Sequence, residues 1–108
     1  MLIFDDLLKS VQSNLSEIFK TEGNALKDMI IKDASDFAKT QKDDLERYTQ
    51  EYLSQKITKD DLEDLILGKK DLLEMRGITE LGLSQVKAQE IKDKVIQGII
   101  GSIINIKI

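Results

Sequence analysis

Carboxylates and amines are nearly all the chemistry this chain has to offer. Its ionisable side chains are 20 Asp and Glu, 16 Lys and Arg, and 2 Tyr, with no His and no Cys. Losing His removes the commonest general base and the commonest transition-metal ligand. Losing Cys removes the thiolate nucleophile, sulfur ligation and any disulfide framework. Ser–His and Cys–His catalysis are therefore excluded, as is a di-iron site built on Glu-x-x-His pairs. Cation binding and acid–base work by carboxylates are what remain.

The densest acidic cluster is Asp60, Asp61, Glu63 and Asp64. Asp60 and Asp64 would share a helix face, as would Asp61 and Asp64, and such a face could hold a hard cation. Their position gives a simpler reading. They follow Thr58 at once, and acids in the first turns of a helix are favoured by its dipole. Glu22, Asp33 and Asp44 form a second row, eleven residues apart, that reads as a solvated boundary. No twelve-residue stretch has the alternating oxygens and central Gly of a calcium loop. Gly68-Lys69-Lys70 lacks the leading Gly and the Ser or Thr of a phosphate loop. No catalytic residue, metal or cofactor is expected.

The charges are also too mixed for nucleic acid. Net charge is −4, and only Arg47 and Arg76 are Arg. Asp28–Lys32, Asp43–Arg47 and Glu90–Lys94 stand four apart with the acid first, the favourable order for pairs on a solvated helix surface. Trp is absent and aromatics are 5%, so base-stacking platforms are poorly supplied.

The elements that position these residues are helices. Pro is absent from all 108 residues, where average usage would give roughly five, and its absence fits uninterrupted helix. Phe4, Leu15, Leu26, Phe37 and Tyr48 recur every eleven residues. Leu7, Ile18 and Met29 keep the same step, as do Leu8, Phe19, Ile30, Gln41 and Tyr52. Eleven residues over three turns makes one nearly straight apolar stripe. Because the phase survives Gly23-Asn24, the pattern predicts one helix over about 5–54, with a kink at Gly23 as the alternative. Such a helix would be about 75 Å long.

A turn at 55–58 follows. Thr58 and Asp61 have capping-box spacing, with Ile57 and Leu62 at the two positions of a hydrophobic staple. Residues 59–105 read as helical overall, with breaks at or near Gly68, Gly77 and Gly82. The expected fold is all-α and a single domain over 1–108. It is either a long antiparallel helical hairpin or that hairpin folded into a three- or four-helix bundle, and it is oligomeric, because two helices alone cannot cover both apolar arcs.

Residues 95–106 stand apart. Val95, Ile96, Ile99, Ile100, Ile103, Ile104 and Ile106 fill an arc of about 180°. Gln97, Gly98, Gly101, Ser102 and Asn105 make a small uncharged face opposite. Three uses compete: a helix in the chain's own core whose small face admits a close neighbour, an oligomer interface, or insertion into a bilayer surface. The polar face lacks the Lys and Arg usual for interfacial helices. A short strand through Ile104, Ile106 and Ile108 is the structural alternative, but it lacks a pairing partner. The uncharged run of about 12 residues is too short to span a bilayer, which takes roughly 20, and no targeting segment is evident, so the default address is cytoplasmic. Together these features predict a non-enzymatic module. It associates with itself or binds another protein through the Ile arc and the polar-edged far end of the first stripe, past Phe37; the alternative is a small protein whose C-terminal helix engages a membrane.

Overall fold

A computed structural model describes residues 3–76 and 81–106. Its helices are α1 (Ile3–Ile18), α2 (Asn24–Thr40), α3 (Lys42–Leu53), α4 (Lys59–Leu67) and α5 (Gln85–Ile104), with a single 3₁₀ turn at Lys70–Leu72. No strand occurs among the described residues, and Asn105 ends α5 as a C-cap.

The all-helical expectation holds, but the single helix over 5–54 does not. It is three helices, and they fold back on one another: α1 packs against both α2 and α3. The first break is a turn over residues 19–23, where Lys20 N–H donates to the Glu17 carbonyl and Glu22 N–H to that of Phe19. These i→i−3 bonds tighten the chain out of the α register. Gly23 then takes an extended conformation at φ −61°, ψ 150°. The second break is slighter. Gln41 alone leaves helical geometry, at φ −99°, ψ 19°, while the bonds to the Phe37 carbonyl before it and from Leu45 N–H after it both survive. The described residues extend 42 × 25 × 22 Å, so no helix or hairpin approaches 75 Å.

The turn between the halves is built as its sequence dictates. Thr58 Oγ1 accepts from Asp61 N–H at 3.1 Å, and Asp61 Oδ2 accepts from Thr58 N–H at 3.0 Å, which satisfies two amides that the helix itself leaves open. Gln55 precedes it at φ 63°, the left-handed residue that commonly ends a helix. Gly68 terminates α4. Among the described residues the second half holds two helices, and between them stand the 3₁₀ turn, an extended Leu73, and Gly82 at φ 71°. A break at Gly77 lies outside the described residues. Ser84 opens α5, accepting from Lys87 N–H.

The core gathers around α1 and α5, which form the most extensive helix pair. Leu7, Val11 and Leu15 from α1 meet Ile91, Val95, Ile96, Ile99, Ile100 and Ile103 from α5, with Ile30, Ala34 and Phe37 of α2, Leu45 of α3, and Leu62 and Ile66 of α4 closing round them. Each fully buried Ile or Leu contributes about 1.5–3 kcal/mol relative to exposure.

Candidate functional site

The C-terminal arc is the heart of the fold. Val95, Ile96, Ile99, Ile100 and Ile103 are buried, and Ile104 and Ile106 are half-buried against the same core. Their small opposite face is occupied as well. Asn14 Nδ2 donates to the Gly98 carbonyl at 2.9 Å and lies 3.4 Å from Ser102 Oγ. Ser102 Oγ donates to the same carbonyl at 2.8 Å. A Cβ on Gly98 would stand 2.8 Å from Leu15 Cδ2, so only Gly allows the helices this close. Gly98 and Ser102 of that face are buried while Gln97 and Asn105 are exposed, and the buried Ile side chains opposite could meet a partner or a bilayer only by leaving the core. No helix among the described residues is long and apolar enough to cross a membrane.

The acidic residues also fall differently from a solvated boundary. Glu22 pairs with Lys87 of α5 at 3.1 Å, Asp44 pairs with Lys69, and Asp33 is only 6% exposed and has a partner. Glu22 and Asp44 tether the first half of the chain to the second. Lys69 and the adjacent Lys70 reach opposite ways, to Asp44 on α3 and to Asp93 on α5. The Lys69 hydrogen bond holds the Asp44 carboxyl below its ordinary value, helped by the charges of Lys69 and Arg47 and opposed by burial. Asp60, Asp61 and Asp64 are exposed, and no group of His, Cys, Asp and Glu suited to a metal ion occurs among the described residues.

A concavity lies elsewhere. A groove of about 630 Å³ runs between α2 and residues 72–76. Met29, Lys32, Asp33, Asp36, Phe37 and Thr40 line one wall at steps of three and four, a single face of α2. Leu72, Glu74 and Arg76 line the other. Apolar surface and charge are laid out in order: Phe37 and Met29 lie inside, while Lys32–Asp36 and Arg76–Glu74 are exposed ion pairs confined to their own walls. Exposed pairs of this kind contribute only about 0–1 kcal/mol each, so they exchange partners cheaply. Leu72 is 54% exposed at the lip. Sequence reasoning did not single out this site. Met29 and Phe37 stood in the apolar rows and Asp33 in the acidic one, but nothing local showed that the irregular 68–76 stretch would come to rest opposite them.

No protein-family model matches the chain, and no curated protein and no solved structure was found to match it.

Proposed function

We propose that the protein is a non-enzymatic helical module that works by contact with another protein or with further copies of itself, through the groove between α2 and residues 72–76. The observation that carries this reading is Leu72, a large apolar side chain more than half exposed beside the apolar floor of Met29 and Phe37. Apolar ground ringed by loosely held charges is how protein contact surfaces are commonly organised. The sequence reading placed the contact on the Ile arc; its burial moves the proposal to the groove.

The test is Leu72→Lys. The side chain is exposed, so stability should change by no more than about 0.5 kcal/mol, while association measured by light scattering after size exclusion should fall at least tenfold. A photo-crosslinking residue at position 72 serves the case of a foreign partner. It should yield one dominant adduct, reproduced with the purified partner and lost with Met29→Asp. Association untouched by Leu72→Lys, with no adduct above that of a crosslinker at Lys56, rejects the groove.

A further inference from the structure

The eleven-residue rows keep a register that the folded monomer does not need. A stripe in step at about 3.67 residues per turn is required along one continuous helix. Across a turn that reverses the chain, phase has no structural consequence. Yet Phe4, Leu15, Leu26, Phe37 and Tyr48 hold one row straight through residues 19–23, and Leu7, Ile18 and Met29 hold another. Three of the members flanking the turn are only partly covered in the monomer, although Leu15 and Phe19 beside them are buried. Ile18 is 38% exposed and Leu26 and Met29 are half-buried, whereas Leu7 and Leu15 are fully covered.

The turn itself resists helix only weakly. Gly23 already has a helical φ, so at that residue only ψ separates it from an α-helix. Space for a side chain there is empty. No side chain caps α2, and the amides of its first turn would find partners in carbonyls of the preceding turn if the helix ran on. The Glu22–Lys87 ion pair closes the turn against α5.

We propose that residues 19–23 are an exchange hinge. In the open form α1 and α2 join into one helix, and the α1 of each of two chains takes the other's place against α5 and α3. The partner is a second copy of this chain, and the dimer is two-fold symmetric. Each α1 contact of the monomer is remade between chains, and the seam of Leu15, Asn14 and Gly98 serves both forms unchanged. The added helical turn and the cover it gives Ile18 and Leu26 favour the exchanged dimer, while the entropy of association opposes it. The groove plays no part in this dimer, so the proposal stands or falls separately from the reading above.

The test uses the full chain at Gly23. Gly23→Ala favours continuous helix and should raise the dimerisation constant roughly fivefold or more. Gly23→Pro suits the turn, because φ −61° is the angle the ring imposes, but it breaks a continuous helix and should lower the constant by more than about a hundredfold. Connectivity is read by Asn14→Cys with Ser102→Cys, which are the only cysteines in the molecule. Oxidised monomer should carry the bond within one chain, whereas isolated dimer should run as a covalent dimer on a denaturing gel. Dimers whose bonds stay within chains overturn the proposal. So does a dimer fraction that is the same in the Ala and Pro variants, or no dimer in the Ala variant at millimolar concentration. If circular dichroism shows that the cysteine pair prevents folding, the dimer fractions of wild type, Gly23→Ala and Gly23→Pro decide the matter alone.

Discussion

The seam where α1 crosses α5 and the groove where α2 faces residues 72–76 draw on the same kinds of residue with opposite results. At the seam, small residues on α5 let α1 approach until a Cβ would not fit, and the polar side chains between them, Asn14 and Ser102, both donate to the Gly98 carbonyl. Every group there finds its partner within the chain. At the groove, Met29 is only half-covered, Leu72 is more than half exposed, and each wall neutralises its own charges. The difference lies in the partner element. A regular helix offers a small-residue face along its length, whereas an irregular stretch of one 3₁₀ turn and an extended residue cannot fill a helix face. Surface is left uncovered where local regularity ends.

The largest expected effect contrasts the two directly. Ile99→Ala empties a fully buried site on α5 and should cost about 2–5 kcal/mol. Leu72→Ala at the groove lip should cost less than about 1 kcal/mol. Chemical denaturation of both variants measures this, and equal costs would remove the distinction between a closed seam and an open groove.

Gly98→Ala sharpens the same point with a single methyl group. The new Cβ would be 2.8 Å from Leu15 Cδ2 and 3.2 Å from Ile18 Cδ1, and overpacking of this kind costs about 1–3 kcal/mol. Because the clash is chiefly with Leu15, Gly98→Ala combined with Leu15→Ala should cost less than the sum of the two single changes. Strict additivity would show that the helices move apart freely and that the seam is not close-packed. Gly101, on the same face, has only Asn14 Nδ2 at 3.6 Å, so Gly101→Ala should be tolerated.

How much of this was legible in the sequence divides along the same line. The helical class, the Thr58–Asp61 box and the small face of α5 are set by neighbours within a few residues, and each could be read from spacing alone. The break at 19–23 could not. The apolar rows run through it in phase, and whether helix continues there depends on α1 finding α5 some eighty residues later in the chain. Gln41 gave still less warning, since hydrogen bonds on both its sides remain helical. The acidic row of Glu22, Asp33 and Asp44 was visible as a row, but a carboxylate looks the same in sequence whether it meets water or Lys87. The groove required knowing where residues 72–76 come to rest, which no local pattern encodes.

The smallest expected effect tests how the groove's irregular wall is held. Lys69 sits just before the 3₁₀ turn and bonds Asp44 of α3, while Lys70 bonds Asp93 of α5. The pair therefore anchors the start of the segment that carries Leu72. Because Lys69 lowers the Asp44 carboxyl in the folded chain from its ordinary 3.8, folding favours the ionised form. The stabilisation is fully present above about pH 3.8 and is lost as pH falls through the lower folded value. Asp44→Asn removes it at every pH. Thermal melts of the two proteins from about pH 7 down to about pH 2 should show the wild type melting slightly higher at neutral pH, with the gap closing in acid. In a Lys69→Met background the gap should shrink at neutral pH too, because the chief cause of the shift is gone, leaving only the weaker pull of Arg47. A gap that persists unchanged in acid would mean that Asp44 acts through shape rather than charge. The groove wall would then rest on the Lys70–Asp93 pair and on the packing of Leu73, the buried residue that follows the turn.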